Sequence, residues 1–346
     1  MKILIAGTGS IGRRHLHNLV ALGVNDIILY STGRSRLPSE DFAGFPMFRN
    51  LQEALDSGPE AVVVANPTAC HMDVAIPAAQ KGCHVLLEKP VSHDLARVDD
   101  LRAALKSGGG SLLVGYQFRF HPTLCTLAEG VRQGVIGRIL SARAEWGEYL
   151  PDWHPWEDYR LGYAARKELG GGVTKTLSHP FDYLRWILGE VSELIWAHPR
   201  CTGFLDLAVD DEVEAGFRFN CGAVASVHLD FIHRPPIHRL DVVGTEGIVS
   251  WNASDGKLIW SPGDGAIPRQ EMPPHGFGRN TLFLEEMSHF LAVAQGKVSP
   301  RCTLEDGIRA LEIVQNILAS PAWVNHDNDL DHAVEHGAPG LPKGNE

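Results

Sequence analysis

Apolar and polar positions along the first third of the chain follow two periods. KILIAG (2–7), DIILYS (26–31), AVVVAN (61–66), HVLLEK (84–89) and SLLVGY (111–116) are short runs of valine, isoleucine and leucine with little polar interruption. Such runs predict strands buried on both faces. Between them helical patterns are read over Ile11–Leu22, near Leu51–Leu55, and over Met72–Gln80 and Leu95–Leu105. Strands alternating with helices predict βαβ units and a parallel sheet. From Arg138 the pattern changes to strands near 138–146, 191–199, 211–219, 223–232, 238–243 and 247–251, joined by turn-forming stretches such as FNCGAVA, GTEG and SDGK. Helices return at about 279–295 and 303–319.

A length of 346 residues suggests two domains, drawn here as 1–120 and 121–320, followed by a polar tail, 321–346. With 44% hydrophobic and 21% charged residues the composition is that of a globular protein. A net charge of -11 argues against a nucleic-acid binder, so any phosphate must be held by local donors. The N-terminal apolar run is too short for a signal peptide, and no stretch approaches the length needed to span a bilayer, so no membrane partner is expected. Six scattered cysteines without a C-x-x-C pair speak against a disulfide scaffold or a cysteine zinc site and suggest the cytoplasm. Seventeen histidines invite a metal, but neither the His15/His17 pair nor the His233/His238 neighbourhood has a convincing ligand spacing, and no metal is expected.

The junction of the first strand and helix changes the picture. Gly7, Gly9 and Gly12 stand in the spacing G-x-G-x-x-G. The first glycine permits the tight turn, the second lets a pyrophosphate approach the backbone, and the third lets helix and strand pack closely. Backbone amides and the helix dipole at Ser10 and Ile11 would supply the positive end. At the end of the second strand, where a carboxylate would bind the ribose of NAD, the chain reads Ser31-Thr32-Gly33-Arg34-Ser35-Arg36. Hydroxyls of Ser31 and Thr32 with the guanidiniums of Arg34 and Arg36 suit a 2′-phosphate, favouring NADP over NAD; the plainer reading is a solvated loop.

Three further motifs, ANPTACH (65–71), EKP (88–90) and GYQFRFHP (115–122), each end a predicted strand, at the edge where open α/β sheets bind ligands. Together with the glycines, GGGVTKTLSH (170–179), VVGTEGIVSW (242–251) and CTLEDGIRALEIVQNILAS (302–320), they resemble the glucose–fructose oxidoreductase/inositol dehydrogenase (Gfo/Idh/MocA) family over about residues 1–320. The resemblance implies an α/β fold: an N-terminal Rossmann parallel sheet plus a C-terminal α/β domain with a large open, mostly antiparallel sheet. It further implies a homodimer or homotetramer formed through the uncovered sheet face. Asn66, Pro67, Thr68, His71, Glu88, Lys89 and Gln117 would then line the cofactor.

Lys89, at a strand end and fixed in direction by Pro90, would donate to a substrate hydroxyl and the cofactor ribose; alternatively it only salt-bridges Glu88. The family places its catalytic lysine in this motif. His179 is the expected acid/base residue. On one continuous helix, Val173, Leu177, Phe181, Leu184 and Leu188 form an apolar stripe, leaving Lys175, His179, Asp182 and Trp186 on an outward polar face. That face is either the site or merely solvated. Related sequences carry an aspartate shortly before the histidine; Thr176 is read at that place, which weakens the usual dyad, while Lys175 suits an acidic substrate or is simply solvated. Pro180 predicts either a kink or a helix that begins only there. The aromatic loop 149–167, with Trp153, Tyr159 and Arg160, and the neighbouring Arg119 and Asp182 complete the expected substrate surface.

These features favour an NADP-dependent dehydrogenase or reductase acting on a secondary alcohol or ketone of a sugar or nucleotide sugar, in detail similar to family members of surface-sugar pathways. Two rivals stand beside it: a non-catalytic NADP-binding sensor or subunit, and an enzyme that recycles a tightly bound cofactor to isomerise sugars or cleave glycosides.

Overall fold

A computed structural model describes residues 1–33, 40–155 and 157–320. Arg34, Arg36 and the tail from Pro321 lie outside the described residues. The first sheet is wholly parallel. Its strands are β1 (Ile3–Ala6), β2 (Ile27–Tyr30), β3 (Met47–Phe48), β4 (Ala61–Val64), β5 (His84–Glu88) and β6 (Leu112–Gly115), ordered β3-β2-β1-β4-β5-β6. The order reverses at β1, so a crevice opens at the C-terminal ends of β1 and β4. Every residue of β1, β4 and β6 is buried, which accounts for their unbroken apolar runs. Helices α1 (Ser10–Ala21), α2 (Leu51–Asp56), α3 (His71–Gln80) and α4 (Val98–Gly108) make the crossovers. The two-residue β3 is too short to leave a period in the sequence.

After α5 (Pro122–Arg132) the chain enters the second sheet. It comprises β7 (Ile139–Gly147), β8 (Val191–Arg200), β9 (Glu212–Phe219), β10 (Val224–Asp230), β11 (Ile237–Gly244), β12 (Gly247–Asn252), β13 (Leu258–Pro262) and β14 (Arg269–Glu271). The order is β14-β13-β12-β11-β7-β10-β9-β8; β7 and β10 run parallel and the other neighbours antiparallel. Helix α5 and strands β13 and β14 were not anticipated, although Leu124, Leu127, Ala128 and Val131 of α5 carry a buried helical stripe.

The segment GGGVTKTLSHPFDYLRW is not one helix. Helix α6 (Val173–Thr176) stops, and α7 (His179–Leu188) begins with Pro180 in its first turn, where a missing N–H costs nothing. The glycines before it are required. Gly170 and Gly172 have φ of +86° and +107°, and a Cβ on Gly172 would strike the Asp210 carboxylate. That carboxylate accepts from the Thr174 amide at 2.8 Å and its hydroxyl at 2.6 Å, capping α6.

Helices α8 (Arg279–Ala294) and α9 (Leu304–Leu318) return to the first domain. Cys302 O accepts from the Val114 amide at 3.0 Å, beside the edge strand β6. The joint is closed by an ion pair. Arg119, just past β6, donates from Nε to Asp182 Oδ2 at 2.9 Å and from Nη2 to Oδ1 at 2.7 Å. Its Nη1 donates to the Arg301 carbonyl at 2.6 Å, and Asp306 lies 3.3 Å away. Arg119 is 4% exposed and Asp182 2%. Both were expected to bind substrate; instead they neutralise each other beneath the surface, and that expectation is corrected.

Arg119→Ala would leave Asp182 as an uncompensated buried charge. We expect a loss of about 3–5 kcal/mol in urea unfolding. A loss under about 1 kcal/mol would show that the pair is dispensable.

Candidate active site

The glycine loop meets the geometric demands of a dinucleotide. Gly7, at φ +113°, lies so close to Ala65 that a Cβ would overlap its carbonyl; a Cβ on Gly12 would strike the Gly7 carbonyl; around Gly9 nothing lies within 4 Å. The first and third glycines are therefore packed and the second faces open space, with Ser10 exposed at the start of α1. These residues fit a bound dinucleotide.

At the end of β2 the Ser31 hydroxyl is already engaged. It lies 2.8 Å from Thr8 Oγ1 and accepts from the Gly33 amide at 3.3 Å, so it shapes the loop rather than offering a free donor. Thr32 is exposed. Arg49, not singled out in the sequence, donates to the Ser31 carbonyl at 3.1 Å and brings an exposed guanidinium to this strand end.

The loops after β4 and β5 are braced by His71, which is 1% exposed. Its Nδ1 lies 2.9 Å from the Pro90 carbonyl and its Nε2 3.0 Å from the Asn66 carbonyl. His71 thus acts as a strut between these two loops. Thr68 and Gln117 are also buried, while Asn66 and Pro67 are partly exposed. Glu88 points inward, 2.8 Å from His15 Nε2, and accepts from the Lys89 amide at 3.2 Å. Glu286 of α8 lies beside them, fully buried, and neither of its oxygens has a hydrogen-bond partner. Burial and the nearby Glu88 charge push its carboxyl well above the usual range, favouring its neutral form. The Glu88 carboxyl is lowered, against the cost of burial, by His15 and then Lys89 and His71.

Lys89 Nζ does not pair with Glu88. It donates to the Thr176 carbonyl at 2.6 Å, joining the end of β5 to the end of α6, so the main chain of Thr176 is what meets the ammonium. Desolvation lowers its pKa to about 8, opposed by Glu88. His179 is 1% exposed, and its Nδ1 has no hydrogen-bond partner. Of the two readings of the polar face, the merely solvated one does not hold for His179, and the face is not turned outward there. The ring is walled by Phe118, Tyr116 and Trp146 at centroid distances of 4.9, 5.3 and 5.4 Å. Burial, then the charge of Lys89, holds its pKa well below the ordinary value, so the imidazole is neutral at pH 7.

Residues missed in the sequence complete the wall. His238 of β11 stacks on Trp146 at 4.2 Å and 3°, and burial lowers its pKa to about 3. Trp146 Nε1 donates to Glu148 Oε1 at 2.9 Å, and the Glu148 charge favours the ammonium form of Lys89. Their only local trace is the i, i+2 spacing of Trp146 and Glu148. Tyr163, whose pKa burial raises to about 12, faces Thr176. Arg279, at the start of α8, disfavours the charged forms of Lys89, His179 and His238. Lys175 is half-buried, its pKa lowered by desolvation against the pull of Asp210. The loop is mostly self-satisfied. Tyr159 donates its hydroxyl to the Leu205 carbonyl at 2.9 Å, and exposed Arg160 pairs with Asp158 and Asp206; neither is free for substrate as expected. Trp153 packs edge-on against Phe231 at 5.6 Å.

Comparison with known proteins agrees with the fold. Residues 1–116 match the GFO/IDH/MocA oxidoreductase family model with its NAD-binding Rossmann fold, and residues 125–250 match the C-terminal domain of the same family. The chain belongs to that family and is an NAD(P)-dependent oxidoreductase. It is 28% identical to levoglucosan dehydrogenase of Pseudarthrobacter phenanthrenivorans, covering 78% of this chain and 80% of that one. It is 27% identical to myo-inositol 2-dehydrogenase of Thermotoga maritima, covering 90% and 93%. Its fold is similar to that of a levoglucosan dehydrogenase in complex with NADH, with TM-score 0.81 and 23% identity over 92% of this chain and 96% of the other. It is also similar to that of the WlbA dehydrogenase from Bordetella pertussis in complex with NADH and UDP-GlcNAcA, with TM-score 0.73 and 22% identity over 92% and 95%. No helix among the described residues is long and apolar enough to cross a membrane.

The Lys89 shift gives a pH prediction. The ammonium is present below pH 8 and lost above it, so kcat/KM should fall through a single ionisation as pH rises past about 8. Lys89→Arg should move that limb upward. An unchanged limb in Lys89→Arg would assign the ionisation to another group.

Proposed function

We propose that the chain is a dehydrogenase or reductase interconverting a secondary alcohol and a ketone on a sugar or sugar derivative. The observation that carries this reading is the convergence of Lys89 and His179 at the strand ends, beyond a glycine loop shaped for a dinucleotide. When bound, the nicotinamide cofactor supplies hydride transfer. Lys89 polarises the substrate oxygen and His179 takes the hydroxyl proton. A neutral imidazole beside an ammonium is ready for the oxidation direction at neutral pH. Trp146, Phe118 and His238 offer flat apolar surfaces to a sugar ring, and Glu148 offers a carboxylate to its hydroxyls.

Arg279 and Lys175 favour a substrate carrying an acidic group, such as a uronate or a nucleotide-linked sugar. The UDP-GlcNAcA complex of the WlbA dehydrogenase supports that choice by analogy. A sensor without turnover draws its support from Thr176, whose buried side chain supplies no acid. Glu148 weighs against it, because a carboxylate reaches the neighbourhood of Lys89 from just past the end of β7.

His179→Ala should lower kcat by about 10²–10⁴-fold on an acidic or nucleotide-linked sugar while cofactor binding is kept. An unchanged kcat would remove His179 from the role. Absence of turnover by the unaltered chain on a broad sugar panel, with cofactor bound, would favour the sensor.

For the cofactor we propose NADP over NAD, since no carboxylate stands at Ser31–Gly33 and Arg49 adds a cation there. Arg49→Ala should weaken NADP about 10–100-fold in fluorescence titration and leave NAD within about twofold. Equal affinities of the unaltered chain for both cofactors would overturn the preference.

A further inference from the structure

The sequence HLDFIH (228–233) is an H-x-D-x-x-H spacing that belongs to neither the cofactor loop nor the aromatic wall. Strand period two puts His228 and Asp230 on the same face of β10, and the turn that follows folds His233 back over them. His228 Nε2 lies 2.8 Å, and His233 Nδ1 3.4 Å, from the same oxygen, Asp230 Oδ2. One potential ligand atom from each residue lies within 4.8 Å of the others.

We propose that His228, Asp230 and His233 bind a divalent transition-metal ion, of which Zn²⁺ is the representative probe. Three independent features are those of a built site. Glu214, opposite His228 in the β9–β10 ladder, lies 2.8 Å from His228 Nδ1. Each ring nitrogen of His228 faces a carboxylate, which raises its pKa to about 9. An entering ion would displace the Nε2 proton while Glu214 keeps the one on Nδ1, as outer carboxylates do for metal-bound histidines. Asp230 is 1% exposed, and its Oδ1 accepts from the Ile232 amide at 2.8 Å, so the carboxylate is held with Oδ2 towards the histidines. Gly147, paired with Asp230 in the β7–β10 ladder, leaves the necessary room, because a Cβ there would strike Asp230 Oδ2 and the His233 side chain.

Two imidazoles and one carboxylate suit zinc and its first-row neighbours rather than magnesium or calcium, which prefer all-oxygen sets. The His228 and His233 side chains are 26% and 41% exposed, so an ion can enter and water can complete its coordination. Glu214 and Asp230 together offset the double charge. The ion would tie segment 231–236 to β10; that segment leads into β11, which carries His238 in the aromatic wall. The site is independent of the proposed reaction and stands or falls without it.

The test is calorimetric titration of ZnCl₂ into the full chain after chelator treatment, with metal content measured after dialysis. Expected is one Zn²⁺ per chain with Kd on the order of 1 µM or tighter, and a raised Tm. Glu214→Gln should weaken binding about 10–100-fold, and His233→Ala or Asp230→Asn at least as much. His17→Ala, an exposed histidine elsewhere, should change nothing. Co²⁺ should give a visible ligand-field spectrum that His233→Ala alters. Because Asp230 is buried, its variant is judged only if its circular dichroism is native-like; His233→Ala, in an exposed turn, keeps the test decisive. Absence of stoichiometric binding, or binding undiminished in His233→Ala, overturns the site.

Discussion

The buried pair of Arg119 and Asp182 is the constraint on which the active cleft depends. Each charge has left water, and only the other, with the Arg301 carbonyl and Asp306, stands in for it. Arg119 follows β6 of the parallel sheet, Asp182 sits in the first turn of α7, and Arg301 and Asp306 precede and open α9. Three parts of the chain far apart in sequence are therefore fixed at one point. His179 lies three residues before Asp182, less than one helical turn away, so the pair also sets where the imidazole stands. From the opposite side Lys89 holds the end of α6 by its carbonyl. The break between α6 and α7 is pinned on both flanks, which is how a proline can follow the key histidine without loosening it.

The electrostatics of the cleft follow from this closure. Burial without carboxylate partners keeps His179, His238 and His121 neutral, so they offer aromatic surface and, at His179, the proton acceptor of the proposed reaction. Beneath Lys89 lies a second layer, where His15 lowers the Glu88 carboxyl while burial and the Glu88 charge raise that of Glu286, so the two carboxyls are pushed apart in pKa. At the cleft the charges of Lys89 and Arg279 are set against those of Glu88 and Glu148.

Much of the fold was legible because its signals are local. Unbroken apolar runs gave the parallel strands and glycine spacing gave the phosphate loop, since a turn, a close approach and an exposed amide are each decided within a few residues. Helical periodicity failed at 173–188 for a definite reason. It separates polar from apolar faces but cannot tell a face turned to water from one turned to a partner 63 residues earlier, as Asp182 is to Arg119. It also assumed one axis where the chain has two. Trp146 with Glu148, His238 and Arg279 were missed because they arrive from three separate parts of the chain, with only the i, i+2 spacing of the first two as a local signal. His228 and His233 escaped because a strand and a turn, not a helix, bring them together.

The threonine at 176 takes on a different meaning in three dimensions. On the sequence its side chain stood for a missing acid; in the fold its carbonyl receives the Lys89 ammonium, an interaction that any residue at this position would provide. The negative charge near the lysine comes instead from Glu88 below and Glu148 beside it, and Glu148 is oriented by a tryptophan that also borders His179. The Glu148 carboxylate, one residue past the end of β7, approaches the lysine from the sheet side rather than from α6, where Thr176 stands. In the proposed reaction a substrate hydroxyl anchored there would lie along the aromatic wall of Trp146 and His238, which would change the ring orientation that the cleft accepts. On that proposal, loss of the acid at 176 bears on which sugar fits and in what pose, while the proposed lysine and histidine remain in place.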